Sequence, residues 1–446
     1  MARGAPAAAC KQERELLPLG WQQWGAVDAA PFLLPTTIKS VAKHLLLFAA
    51  TTGYQIRVFA DAARRLGVDV TLATDRCHIL DDPWGDRAIA VKFDQIEESL
   101  KAIRGLRVDG VAAVGDRPAV LAAAAAEMLG VPFHPEAAAR ACHDKHVSRE
   151  LFRAAGMRVP SFFRASLQDD AAELAARASY PCVLKPLGLS ASRGVIRAND
   201  AGEFVAAFRR IAKMGERELQ VESYIPGREF AVEGIITSGR LQPIAIFDKP
   251  NPMEGPFFEE TIYVTPSREP ADVQAALIET TAQAAAAVGL RHGPVHAELR
   301  YNQAGAWILE VHARPIGGLC ARALRLADGI PLEEMILVHA LGGNVSMAEL
   351  DGPASGVMMI PIPGKGGIYH GVDGVERALA VADIEDVTIT ATEGQMLVPL
   401  PEGSSYLGFI FARGESPEVV ELALRRSHAE LRFRIATALE TFSPSP

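Results

Sequence analysis

Hydrophobic order in this 446-residue chain begins near residue 41. His44-Leu45-Leu46-Leu47-Phe48-Ala49-Ala50 is an unbroken apolar run, the pattern of a strand buried on both faces. Residues 55–66 then place Val58, Ala62 and Leu66 on one helical side, with Gly67 as the stop. Segments 68–73 and 109–114 predict two more strands, and 118–129 an alanine-rich helix closed by Gly130. Strands alternating with helices imply βαβ units on a parallel sheet. The turn at 50–54 lies at a strand's carboxyl end but lacks the GxGxxG of a dinucleotide site, so a structural role is expected there.

Residues 139–155 read as one helix and 164–177 as another. The pattern then changes. Residues 180–186 predict a short buried strand, 203–214 a helix, and 219–225, 229–236 and 241–247 an antiparallel meander that turns at Ser238-Gly239. Segment 250–256 is a proline-rich loop, and 272–288 an alanine-rich helix stopped by Gly289. Weaker signals follow: a helix over 332–341, strands at 357–362, 387–390, 397–400 and 407–411, and a long amphipathic helix over 418–439. The expected organisation is a multidomain α/β and α+β chain. Residues 1–40, with Trp21 and Trp24, form an arm. A Rossmann-like parallel-sheet domain covers 41–135, a central α+β domain 136–345 with a subdomain at about 180–250, and a small α+β domain 346–446.

Composition narrows the classes. The net charge is −9 without a long basic cluster, which argues against nucleic acid or an anionic membrane as partner. Five scattered cysteines without a CxxC pair exclude a disulfide framework and a structural zinc site. Lys11, Glu13, Arg14 and Glu15 interrupt the start where a signal peptide needs its apolar segment, and no apolar run is long enough to span a bilayer. A soluble, cytoplasmic protein is expected.

The candidate chemistry centres on 296–318. Asn302, Gln303 and Gly305 are turn residues between two runs, so the segment reads as a hairpin. Centring the turn on Ala304 sets Glu298 opposite Glu310. It also puts His296, Glu298 and Arg300 on one face, with Glu310, His312 and Arg314 on the facing side of the partner strand. Facing carboxylates repel unless one is protonated or a cation lies between them. Carboxylates sharing a hard divalent cation with water and phosphate form the common nucleotide–magnesium arrangement. The hairpin alone also fits a surface turn with solvated carboxylates. Upstream, Lys185 ends a buried strand, where its charge must reach solvent or an anion. Gly188–Gly194 follows as a loop of small residues containing Ser190, Ser192 and Arg193, suited to cradling phosphate although it is no Walker A sequence. An ordinary hairpin is the alternative there.

In order and spacing, these stretches resemble the ATP-grasp superfamily over most of 43–440. The closest likeness is to the carboxylate–amine ligases that include L-amino-acid ligases and carnosine-synthase-like enzymes. The resemblance implies an ATP-grasp fold, with ATP and Mg2+ (or Mn2+) as cofactors. It implies that Lys145 and Lys185 hold the ATP phosphates, under a loop carrying Ser190, Ser192 and Arg193. Glu222, Ser223 and Ile225 would form the adenine hinge, and Glu229 would bond the ribose. Glu298, Glu310 and His312 match the metal positions. His312 stands where the family's E-x-N-x-R motif has asparagine, and imidazole is a poorer magnesium ligand than an amide oxygen. Glu260 matches a glutamate near the substrate amino group, in a segment where Ile262 and Tyr263 replace Gly and His. Tyr263 and Gly317 would border the substrate.

The implied reaction phosphorylates a carboxylate to an acyl phosphate, which an amine attacks. Arg314 would hold the acyl phosphate and the tetrahedral oxyanion, since an arginine fork suits such oxygens. Its alternative is a structural salt bridge to Glu298 or Glu310. The expected partners are a small-molecule carboxylate and an amine, with no nucleic acid and no membrane. The choice between monomer and homodimer stays open. A biotin-carboxylase-like enzyme is disfavoured because Arg314 is followed by Pro315-Ile316-Gly317-Gly318 rather than a Q-V-E-H run. A nucleotide-binding regulatory protein without turnover is the remaining alternative.

Overall fold

The computed structural model describes residues 43–51, 55–75, 88–326, 329–345, 350 and 352–436. The expected arm at 1–40, residues 52–54 of the first turn, Cys10 and Cys77 lie outside the described residues.

The first sheet is parallel throughout, in the order Ile89–Ala90, Asp69–Thr74, His44–Ala49, Gly110–Val114. Its apolar first strand serves two cores. Leu46 and Phe48 enter one, while Leu45, Leu47 and Ala49 enter the other. Side chains alternate along a strand, so a run apolar at every position must be covered on both faces. Helix Ile56–Leu66 covers one face and Asp116–Leu129 the other, each ended by a left-handed glycine, Gly67 or Gly130.

The expected single helix at 139–155 is two helices, Glu136–His143 and Lys145–Ala154. Asp144 breaks it. Its backbone is extended, and its carboxylate accepts from the N–H groups of His146 at 2.8 Å and Val147 at 3.1 Å. That is an N-cap, which satisfies donors a helix start would otherwise leave open. The expected helix at 164–177 is instead strand Phe162–Ser166 followed by helix Ala171–Arg177, capped by Asp170. Ser166 and Asp169 close the intervening turn on each other's backbone.

A four-stranded antiparallel sheet orders Phe162–Ser166, Glu218–Ser223, Cys182–Pro186 and Ile196–Ala198. Helices Ala171–Arg177 and Ala201–Ala212 share its core. The meander strands Arg228–Thr237 and Arg240–Lys249 belong elsewhere, so segment 180–250 divides between two sheets. They lie within an eight-stranded antiparallel sheet that runs from Gly305–His312 and Gly293–Asn302 through the meander to Ile262–Thr265. It continues through Ala354–Ile360, Gly408–Gly414 and Ile384–Ile389, so the C-terminal region extends the same sheet.

The long C-terminal helix stops early, at Pro417–Glu430. Arg432–Ala436 is a strand paired with Gly367–Asp373. Arg432-Phe433-Arg434-Ile435 alternates polar and apolar, and Phe433 and Ile435 pack on the local core; a period of two outweighs the helical pattern. The described cysteines, Cys142, Cys182 and Cys320, are free and buried. No described helix is long and apolar enough to cross a membrane.

Candidate active site

The hairpin places Glu298 opposite Glu310 and His296 opposite His312. It reaches that register by a route the sequence did not suggest. Its turn is centred between Gln303 and Ala304, with Asn302 facing Gly305 and Leu299 facing Ile308. Left regular, this ladder would bring Leu309 opposite Glu298. Leu309 is instead a bulge, which restores the carboxylate pair. The irregular carbonyls are satisfied by Arg149, a fully buried side chain that donates from Nη1 to Ile308 O at 2.7 Å and from Nη2 to Leu309 O at 3.0 Å.

Each facing glutamate is backed by a histidine, and each histidine by a carboxylate from another element. His296 meets Glu233 through Nδ1 and Glu298 Oε1 through Nε2 at 3.4 Å. His312 meets Asp116 through Nδ1 at 2.8 Å and Glu310 Oε2 through Nε2 at 3.5 Å. The two rings stack with centroids 5.6 Å apart. Burial raises the Glu298 carboxyl, but Lys249 and the hydrogen bond from His296 outweigh it and hold it well below the ordinary carboxylate range. Burial likewise opposes ionisation of Glu310, yet Lys145 and His312 bring it down to about 2. Burial lowers His296, while Glu233 raises it further, to about 9. The facing carboxylates are therefore ionised, hard oxygen donors. That chemistry fits Mg2+ or Mn2+. His312 differs: both its ring nitrogens are engaged, by Asp116 and Glu310, and these carboxylates outweigh burial and Arg314 to raise its pKa, so it buttresses the pair.

The lysines expected at phosphate border the same cavity of about 320 Å3. Lys145 opens its helix directly after the Asp144 cap; its Nζ lies 3.8 Å from Glu310 and donates to Leu189 O at 2.6 Å. Lys185 lies 2.8 Å from Glu222. Glu222 turns its side chain inward, where it also binds Arg149 at 2.7 Å and Gln220 at 2.8 Å. Its role in the structure is thus to hold Lys185 and the arginine beneath the bulge. Ser190, Ser192, Ser223 and Ile225 line the cavity. Ala191 and Ser192 have φ of 54° and 55°, successive left-handed residues that keep the loop compact. Arg193, expected at phosphate, instead donates from Nε to Glu402 O at 3.1 Å.

Beside the hairpin lies a residue the sequence reading missed. Lys249, nearly fully buried, contacts Glu229 at 2.9 Å, Glu260, and Glu298 at 3.5 Å. Burial opposes its charge, but the three carboxylates hold its pKa well above the usual lysine value. Glu229, Glu260 and Glu298 have oxygens within 4.8 Å of one another, a grouping that would suit a metal ion, and Lys249 already supplies the positive charge there. Glu229 also binds Arg300 Nε at 2.9 Å, so both its oxygens are engaged. Glu260, expected to meet a substrate ammonium, is paired with Lys249. Arg314 pairs with neither hairpin glutamate. It forks onto Asp116, Nε at 2.8 Å and Nη2 at 3.2 Å. Tyr263 and Gly317 line the cavity, together with Cys320, Met359 and Tyr406.

Lys249 and Asp116 each carried a signal. Ile246-Phe247-Asp248-Lys249-Pro250 repeats the apolar run, lysine and proline of Val183-Leu184-Lys185-Pro186. Asp116 lies two residues past the buried strand Gly110–Val114, at its carboxyl end, where ligands of open α/β sheets gather.

The fold is of the ATP-grasp class. Family models agree along the chain: the ATP-grasp N-terminal domain matches residues 60–133, the ATP-grasp domain 178–323, and the L-amino acid ligase C-terminal domain 2 residues 359–436. The chain therefore carries an ATP-grasp domain between an ATP-grasp N-terminal domain and an L-amino-acid-ligase C-terminal domain. Among solved structures it is similar to the L-amino acid ligase from Bacillus licheniformis, with a TM-score of 0.74 and 26% identity, covering 89% of this chain and 99% of that one. Among curated proteins it is 28% identical to carnosine synthase 1 of Gallus gallus over 64% of this chain, and 25% identical to alanine–anticapsin ligase of Bacillus subtilis over 54%. It spans 33% and 56% of those two relatives' lengths.

Proposed function

We propose that the protein is an ATP-dependent carboxylate–amine ligase that forms an amide or peptide bond through an acyl phosphate and releases ADP and phosphate. An amino acid is a substrate in this reading. The observation that carries it is the facing pair Glu298 and Glu310, with Lys145 at 3.8 Å from Glu310 and Lys185 on the same cavity.

Glu298 and Glu310 would hold magnesium, which when bound supplies charge neutralisation to the phosphate oxygens, and His312 would join them only with Nε2 deprotonated and released from Glu310. Lys145 and Lys185 meet the triphosphate, with Ser190 and Ser192 in the loop above it. The hinge offers backbone groups to the base. Ser223 N–H is spent on Ser161 O at 2.9 Å and Ile225 O accepts from Arg300 at 2.6 Å, so the Ile225 N–H is the donor that faces adenine. Glu229 borders the ribose as an acceptor already polarised by Lys249 and Arg300.

Arg314, oriented by Asp116, presents its guanidinium where the substrate carboxylate takes up phosphate, and stabilises charge on those oxygens. An acyl phosphate hydrolyses in water, so the loop over the site must exclude it. Lys249 and Arg300 face Glu229, Glu260 and Glu298, so this wall of the pocket carries more carboxylate than cationic charge. The wall with Tyr263, Met359 and Tyr406 favours an apolar or aromatic substrate side chain. The reading carries with it small-molecule partners and a cytoplasmic location, and light scattering decides between a monomer and a homodimer. The fold is shared with carboxylases at 16% identity, and no residue of the site favours that chemistry over ligation.

The test is ADP release across paired amino acids, in wild type and Glu310→Gln. Wild type should release ADP only with a matched pair, and Glu310→Gln should lose at least about a hundredfold in rate, as for groups that act on transferring charge. Unchanged turnover in Glu310→Gln would refute the metal assignment.

A further inference from the structure

The loop expected over phosphate does not stand alone. Two successive residues of the C-terminal region hold it. Gly194 N–H donates to Pro401 O at 2.8 Å, and Arg193 Nε donates to Glu402 O at 3.1 Å. The Glu402 carboxylate reaches on to helix Ala201–Ala212, where Arg210 grips it bidentately at 2.5 and 2.9 Å. The same segment continues into Ser404 and Tyr406, which also line the cavity.

The segment is itself anchored. Gly403 N–H bonds Pro399 O at 2.9 Å, and a Cβ at Gly403 would lie 1.7 Å from Val398 O, so only glycine fits that turn. Behind it, Leu407 N–H bonds Ile360 O at 2.9 Å, on the eight-stranded sheet. Residues 399–406 therefore form a strap. Its C-terminal end, fixed to the sheet through Leu407, walls the cavity with Ser404 and Tyr406, and Pro401 and Glu402 toward the other end carry the phosphate loop.

We propose that this strap positions the phosphate loop, with Glu402 as the positioning residue, so that closure of the loop answers to what occupies the cavity beside Tyr406. Glu402 touches no reacting atom; it acts through Arg193, Gly194 and Arg210. A carboxylate-bearing substrate seated against Tyr406 fixes the strap, and the strap fixes Gly188–Gly194 over the triphosphate. The loop then closes when acid and nucleotide are both present, which is when an acyl phosphate needs shelter from water. This part of the inference rests on the ligase reading. The docking of the loop does not.

The test compares wild type with Glu402→Ala, Arg210→Ala and the charge-swapped pair Arg210→Glu/Glu402→Arg. Glu402 and Arg210 are both well exposed, with 39% and 44% of their side-chain surface accessible, so all variants should fold with melting temperatures within about 3 °C of wild type. Hydrogen exchange of residues 188–194 should rise at least about threefold in both single variants and return toward wild type in the swapped pair. KM for ATP should rise about three- to tenfold, and more ADP should be released per amide formed. Unchanged exchange at 188–194 in both single variants would overturn the docking role. Loosened exchange with an unaltered ratio of ADP to amide would overturn the coupling to substrate. A wild-type chain with no ligase turnover, but with exchange responding to Glu402, would refute the ligase reading and leave the docking standing.

Discussion

Lys249 sits nearly fully buried, with three carboxylates around its ammonium group. Removing one partner of a buried charge group leaves the others uncompensated, and the cost is commonly about 3–5 kcal/mol. Lys249→Met should lose stability on that scale in urea denaturation. It should also gain affinity for a divalent cation, because Glu229, Glu260 and Glu298 would then share unanswered negative charge. A variant as stable as wild type that binds no added cation would mean the carboxylates take up protons instead. Individual acidic and basic residues of the hairpin could be read from the sequence, because alternation along a strand sets their faces. Their partners could not. Glu233, Asp116 and Lys249 lie on other strands and on the neighbouring parallel-sheet domain, and only tertiary packing brings them within reach.

Asp144 shows the same limit one scale up. Apolar spacing across 139–155 satisfies a helical period, and nothing in that period marks the break. A carboxylate that accepts two backbone N–H groups restarts the helix at Lys145, and so fixes the direction from which that lysine enters the site. Replacing an aspartate N-cap with alanine costs about 1 kcal/mol. Asp144→Ala should lower stability by that amount in denaturant titration and raise KM for ATP severalfold through a displaced Lys145; an unchanged KM would place the lysine away from the nucleotide. The bulge at Leu309 is a second case. The pairing of Glu298 with Glu310 was legible from a turn centred on Ala304, yet the true turn lies half a residue earlier and the extra residue compensates. Bulges leave little trace in hydrophobic pattern, since one unpaired residue does not change the composition of a strand. The helix mistaken at 164–177 and the strand hidden at 432–436 failed for related reasons. Asp and Ser turn chemistry ended one element, and a five-residue alternation was absorbed into the end of a long helical pattern.

Across the whole molecule, two buried histidines, His134 and His339, do not line the site cavity. His134 Nε2 donates to Pro294 O at 2.9 Å while Nδ1 accepts from Arg291 N–H at 3.2 Å, an arrangement with no room for a second proton. Burial pushes His134 down to about 4. Burial likewise lowers His339 to about 4, beside His292, whose ring stacks on it at 4.0 Å. In the unfolded chain these groups protonate near 6.5. Between pH 6.5 and 4 the unfolded state therefore binds more protons, and stability must fall as pH falls through that window. Urea midpoints should drop steadily from pH 7 to pH 4.5, and His134→Gln should flatten the slope. A slope unchanged by that substitution would assign the acid sensitivity to carboxylates.

At this scale the central claim is that one cavity joins a carboxylate, a nucleotide and an amine. The transfer of oxygen reports on it directly. With an amino acid whose carboxylate carries 18O, turnover with ATP and an accepting amine should deliver one labelled oxygen to the released phosphate, visible in its 31P resonance, because the acyl phosphate bridges through that oxygen. Phosphate released without label, in a reaction that nonetheless consumes ATP and amino acid, would contradict the account.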